Sequence, residues 1–155
     1  MNKDKIRVWH ISDTHTFHKG VSIPENIDLV IHSGDCSNPR DLIQSEREIR
    51  DFIDWYESVP IKNKIFVAGN HDLAIQARRV TPGDFAKAGI IYLENNSTTV
   101  DGLKIWGSPI SPSFGDGWAF NMDRGKIDRL WSTIPEDVDI VITHGPPKGI
   151  LDLSI

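Results

Sequence analysis

Ile65-Phe66-Val67-Ala68 runs straight into Gly69-Asn70-His71-Asp72. Apolar residues suited to a buried strand stop at a glycine, and three residues able to bind a cation or move a proton follow. The pattern recurs along the chain. Val8-Trp9-His10-Ile11 leads into Ser12-Asp13-Thr14-His15, Leu29-Val30-Ile31-His32 into Ser33-Gly34-Asp35, and Ile140-Val141-Ile142-Thr143 into His144-Gly145-Pro146-Pro147. Strands alternating with helical patterns read as an α/β fold, and parallel strands put their C-terminal ends along one edge of a sheet. The polar residues after these runs are therefore expected to converge. Asp13, Asp35 and Asn70 offer hard oxygen ligands, while His15 and His144 offer imidazole nitrogen, a mixture that suits Mn, Fe or Zn.

Working outward, strands are expected at about Ile6–Ile11, Asp28–Ser33, Lys64–Ala68, Ile90–Leu93 and Ile140–Thr143. A helix from about Arg40 to Glu57 follows from Leu42, Ile43, Ile49, Phe52, Ile53 and Tyr56, which roughly keep the helical i, i+3, i+4 spacing. Asn38-Pro39 reads as its entry. Shorter helical patterns cover Asp72–Val80, Asp84–Ala88 and Asp123–Ser132. Ser97–Val100 and Leu103–Trp106 flank Asp101-Gly102, a hairpin signal. Ser108–Trp118 is rich in Gly, Pro and Ser and reads as a loop.

The length of 155 residues fits one domain, residues 1–155, large enough to bury a real core. No apolar run approaches the ~18–20 residues of a membrane span, so no membrane partner is expected. Met1-Asn2-Lys3-Asp4-Lys5 carries no signal-peptide apolar region. The single cysteine, Cys36, has no internal disulfide partner, and together these features point to a cytoplasmic location. Cys36 reads as a small buried residue rather than a nucleophile. A net charge of −5 disfavours nucleic acid as a partner, although bound cations would reverse the local sign and leave small phosphate compounds open.

Asp13-x-His15, Gly34-Asp35, Gly69-Asn70-His71-Asp72 and His144-Gly145 together resemble the ordered blocks of the calcineurin-like metallophosphoesterases. Ser12-Asp13-Thr14-His15, Ile105-Trp106-Gly107-Ser108-Pro109, Trp118-Ala119-Phe120-Asn121 and Thr143-His144-Gly145-Pro146-Pro147 resemble signatures of one small metallophosphoesterase-domain subfamily. The resemblance spans Arg7 to about Asp152. It implies two stacked mixed β-sheets flanked by helices, and two divalent metal ions, Mn, Fe or Zn. The family's fifth block, Gly-His-x-His, has no counterpart here: all six histidines lie at or before His144. The expectation is thus a C-terminally truncated domain whose unpaired sheet edge favours a homo-oligomer.

The resemblance also implies roles. Asp13 and His15 would hold the first metal, Asn70 and His144 the second, and Asp35 would bridge both. His71 would be catalytic, serving the leaving group or the transition-state charge, with Asp72 orienting it. The expected function is metal-dependent phosphoester hydrolysis, most simply of phosphodiesters of small nucleotides or similar compounds, by metal-activated water. The alternative is a catalytically impaired or non-catalytic binding or regulatory protein. His18, Asn121 and Arg124 are candidate substrate-binding residues, the last by a forked phosphate contact. Phe114 and Trp118 either stack on a base or pack their loop onto the core. His10 and His32, inside strand patterns, read as core or sheet-edge residues.

Overall fold

The structure is a computed structural model, and it describes residues 5–38 and 41–152. The expected helix entry at Pro39 and helix start at Arg40 lie outside these residues, as does the Leu153–Ile155 end of the chain.

Four parallel strands form the first sheet in the order β1 (Val8–Ile11), β2 (Leu29–His32), β3 (Asn63–Phe66) and β4 (Ile91–Tyr92). The second sheet orders β5 (Asn96–Val100), β6 (Leu103–Ser108) and β9 (Ile140–Thr143), with β5–β6 antiparallel and β6–β9 parallel. The expected hairpin at Asp101-Gly102 is the β5–β6 turn, with Gly102 at φ 86°. Of the two main sheets only the second is mixed.

Strand periodicity explains the layering. Leu29 and Ile31 of β2 point one way and join Ile65, Val67, Leu93, Val100, Ile105 and Ile142 in a core between the two sheets. Val30 and Phe66 point the other way, toward α1 (Leu42–Ser58), and meet its Ile49, Phe52, Ile53 and Tyr56. β2 is buried along its whole length because it is covered on both faces. The Tyr56 hydroxyl sits within 3.1 Å of Val30 O and 2.9 Å of Ile65 O, so its one polar atom is satisfied where α1 meets the sheet. Asp41 caps α1 by accepting from Ile43 and Gln44 N–H, both at 2.8 Å.

On β1, Val8 and His10 are in register with Leu29 and Ile31 and so share the inter-sheet face, yet both are exposed. Sheet order accounts for this: β1 and β9 are edge strands among the described residues.

Three shorter helices complete the chain: α2 (Leu73–Gln76), α3 (Pro82–Lys87) and α4 (Arg124–Trp131). The capping box of Thr81 and Asp84, with Pro82 inside the first turn, fixes the start of α3. The Asp72–Val80 helical pattern is realised only as the single turn of α2. The expected Ser108–Trp118 loop is corrected in one detail: Ser111–Pro112 (β7) pairs in parallel with Asn121–Met122 (β8). Two-residue strands with a proline in one of them carry no periodic signal. No helix among the described residues is long and apolar enough to cross a membrane.

Candidate metal centre

The loops after β1, β2, β3 and β9 meet, as the strand-end pattern predicts. The first two are zipped by backbone bonds: Asp13 N–H to Gly34 O (2.9 Å), His15 N–H to Asp35 O (3.1 Å) and Thr16 N–H to Cys36 O (3.0 Å). Asp13, His15, Thr16 and Asp35 all take positive φ, between 41° and 73°. That backbone is unfavourable for side chains with a Cβ and concentrates at sites where geometry matters more than local ease.

Two glycines make the convergence sterically possible. A Cβ on Gly34 would stand 2.6 Å from His144 Nδ1 and 2.7 Å from Gly69 N. One on Gly69 would strike the Asp35 carboxylate and lie 2.8 Å from His144 Cε1.

Asp35 is the centre. Its side chain is 4% exposed, and its Oδ2 lies 3.3 Å from His144 Nε2, 3.7 Å from His71 Nε2 and 3.8 Å from His15 Nε2. Its Oδ1 accepts the His71 backbone N–H at 2.8 Å. Burial pushes its carboxyl up, but the bonds and charge from His144, with help from His71, prevail and hold it below the usual range. For His144, burial works against protonation, yet Asp35 outweighs it and raises the imidazole to about 9. His71 is lowered, because burial outweighs the attraction of Asp35.

The donor set fits divalent cations. His15, Asp35 and His71 place ligand atoms within 4.8 Å of one another, and so do Asp13, Asp35 and His144. Asp35 belongs to both groups, as a bridging carboxylate must. Asn70 Oδ1 stands 3.0 Å from His144 Nε2, beside the second group. The grouping differs from the expected sets in joining Asp13 with His144 and His15 with His71.

Two of these imidazoles are oriented as metal ligands usually are. His15 Nδ1 meets Ser37 O at 3.1 Å and His144 Nδ1 meets Ser33 O at 2.9 Å, which turns each Nε2 toward the acidic centre. His71 is not tied in this way: its Nδ1 is buried and makes no hydrogen bond. Its ring lies edge-on to His15, with centroids 4.5 Å apart, and 4.8 Å from Trp118.

Asp72 requires a correction. It does not orient the His71 ring. Its fully buried carboxylate accepts from Asp35 N (3.0 Å), Gly69 N (2.8 Å), Ser37 N (3.1 Å), Ser37 Oγ (3.0 Å) and Cys36 Sγ (3.4 Å). Asp72 therefore binds the β2 loop to the β3 loop beneath the centre. The Gly69-to-Asp72 contact, three residues apart, is a side-chain turn that the sequence spacing permits. Cys36, fully buried here with its thiol pushed up by burial, is the small core residue it was expected to be.

His18 is also corrected. A 3-10 turn over Phe17–Gly20 swings it away from the cleft and onto α1, where it is fully buried between Phe52 and Trp55. Its Nε2 meets Asp51 Oδ2 at 3.2 Å. Asn121 holds a loop rather than facing open space: its amide donates to Ser111 Oγ (3.3 Å) and Ala119 O (3.2 Å), and its oxygen accepts from Phe114 N–H (3.4 Å). Arg124 does line the cleft.

That cleft, about 490 Å³, is lined by Asp13, Asn70 and His144 together with Phe114, Arg124, Lys148 and Asp152. Phe114, one of the two aromatics expected either to stack on a base or to pack the loop onto the core, lines it; Lys148, which follows the Gly145-Pro146-Pro147 turn, was not assigned from sequence. Phe114 and Trp118 stand 5.6 Å apart, with Phe114 58% exposed, so Trp118 packs toward His71 while Phe114 stays outward.

Carboxylates and imidazoles gathered at the C-terminal ends of parallel strands, sharing one buried aspartate, form a candidate centre for divalent cations in an α/β fold. The calcineurin-like phosphoesterase family model matches residues 6–154, and the chain belongs to that family. Over 92% of its length it is 34% identical to metallophosphoesterase domain-containing protein 1 of Homo sapiens, of which it covers 49%. Over 95% of its length it is 32% identical to a UPF0046 protein of Caenorhabditis elegans, of which it covers 53%. The chain thus spans about half the length of these curated relatives.

Proposed function

We propose that this chain carries the catalytic centre of a metal-dependent phosphodiesterase acting on small nucleotides or similar compounds. The observation that supports the reading best is Asp35, shared by two ligand groups, one of which reaches through Asp13 and His144 into a cleft that Arg124 also lines. Asp13, His15, Asp35, Asn70 and His144 would hold the cations. Bound there, divalent cations would neutralise phosphate oxygens and acidify a water molecule.

The protein's own groups do the remaining work. Arg124 presents a forked donor to a phosphate that reaches the metal end of the cleft. His71, untethered at Nδ1, is free to settle its tautomer and carry a proton at Nε2 toward a leaving oxygen. Trp118 limits how far the His71 ring can turn. The edge strands β1 and β9 keep self-association as part of the proposal, and sedimentation at micromolar concentration reads it.

The test is a chromogenic phosphodiester assay with added Mn²⁺ or Zn²⁺, run beside a metal analysis. Turnover that requires metal, and loss of both turnover and metal in Asp35→Ala, is the expected result. Metal binding without turnover would favour the non-catalytic alternative. His71→Ala should lower turnover by about 10²-fold with metal content intact. Loss of metal in that variant would make His71 a ligand.

A further inference from the structure

His32 closes β2 and is fully buried against Phe52, Tyr56 and Phe66. Burial lowers its pKa to about 3, so the ring is neutral. Both ring nitrogens are engaged. Nδ1 accepts the Gly34 backbone N–H at 3.2 Å, and Nε2 lies 3.0 Å from Thr14 Oγ1. A neutral imidazole carries one ring N–H. Since Nδ1 accepts, that proton is on Nε2 and is donated to Thr14. The ring has one acceptor and one donor, both are used, and no nitrogen is left to ligate a cation.

Its two partners sit among the metal-ligand candidates. Thr14 stands between Asp13 and His15, and Gly34 directly precedes Asp35. The backbone around them is in the left-handed region: φ is 52° at Asp13, 41° at His15, 58° at Asp35 and 111° at Gly34. Such conformations persist only where the surroundings hold them. Backbone bonds from Asp13, His15 and Thr16 join the β1 loop to the β2 loop, and His32 adds a tie at the residue between them. Asp72 does the corresponding work between the β2 and β3 loops.

We infer that His32 is a positioning residue for the metal centre, its ring fixing the loop that carries Asp13 and His15 against the loop that carries Asp35. This rests on the reading of the site as a metal centre and adds a group that sets its geometry. The side-chain type fits the task. A carboxylate or an ammonium at this depth would be an uncompensated charge, and an amide would bring two N–H donors where one acceptor waits. A neutral imidazole matches one donor to one acceptor.

The test titrates Mn²⁺ calorimetrically into the metal-free chain and its variants. Thr14→Val keeps the side-chain shape but removes the acceptor, and Mn²⁺ affinity should fall by about tenfold or more, as expected when a group that orients ligands is lost. Thr14→Ser restores the hydroxyl and should stay within about twofold of the unmodified chain. His32→Leu loses both bonds and should fall at least as far as Thr14→Val; if it does not fold, Thr14→Val decides. Urea unfolding in chelator confirms that each titrated variant is folded, and a contribution to stability alone leaves the affinity of the folded chain unmoved. In the unmodified metal-free chain, proton–nitrogen NMR should show the His32 ring protonated at Nε2 only. A ring protonated at Nδ1, or unchanged Mn²⁺ affinity in Thr14→Val, would overturn the inference. Unchanged affinity in that variant beside metal-dependent diester turnover would leave the phosphodiesterase reading standing without this one. Affinity that falls in Thr14→Val and His32→Leu, with no diester hydrolysed by the unmodified chain, would sink that reading and keep this one.

Discussion

The floor of the site and its wall are built in opposite ways. The floor is buried, short of space and cross-tied: Asp72 collects five donors, and Gly34 and Gly69 leave no room for a single added carbon. The wall, from Ser111 to Arg124, is anchored around Ala119 and Phe120, which are buried in the core and tied by Ala119 N–H to Asn70 O at 2.9 Å and Phe120 N–H to Gln76 Oε1, while its outer part has only a two-residue strand pair and the Asn121 amide, and Phe114 stays exposed. Ligand geometry tolerates little variation, so it is held by the fold. Substrate contact tolerates much more and is left to a loop.

The comparison breaks most visibly at Asp72. Asp72→Ala would strand several buried donors, and a loss of at least about 3 kcal/mol is expected in urea unfolding. A loss below about 1 kcal/mol would mean that the floor is not cross-tied through this carboxylate. Gly69→Ala should cost about 1–3 kcal/mol by forcing Asp35 and His144 apart, and metal content should fall with it. Unchanged metal binding would show that the floor can yield.

A third test uses acid. His32, fully buried beneath the floor between Phe52 and Phe66, is lowered from 6.5 to about 3, chiefly by burial. Its folded pKa is depressed, so between these values the unfolded chain binds a proton that the folded chain refuses. The contribution of His32 to stability is therefore complete above about 6.5 and falls as pH drops, by up to about 1.4 kcal/mol per unit. His144, raised to about 9, is protonated in both states through most of this window and adds little slope. In His32→Gln the slope between pH 6.5 and 4.5 should shrink relative to the unmodified chain, and identical slopes would assign the acid sensitivity elsewhere. The smallest effect is expected in the wall: Phe114→Ala should change stability by less than about 0.5 kcal/mol. A loss above 1 kcal/mol would make Phe114 part of the core.

This contrast also explains what the sequence made legible. Asp13, His15, Asp35, Asn70 and His144 each follow an apolar run, so strand pattern and ligand chemistry pointed to the same residues, and the structure gathers them. Asp72 was placed in the right neighbourhood with the wrong task. A carboxylate next to a histidine suggests a pair, and only the backbone turn after Gly69 shows that it points beneath the loops. His18 was misplaced because the 3-10 turn at Phe17–Gly20 has no periodicity, yet it decides which way the side chain leaves the loop. β7 and β8 were missed because two residues carry no alternation, and Lys148 because nothing local tells a cleft lysine from a solvated one.

His144 reaches Ser33 across 111 residues of chain, and this contact ties the centre to the order of folding. Loop closure of that length comes late, after local turns and the β2–α1–β3 unit have formed. Asp35 and His144 come together only when the second sheet has docked on the first. A cation held between them would bind the completed fold in preference to any partly folded chain, and so would act as a clasp across the two sheets whose hold grows with metal concentration.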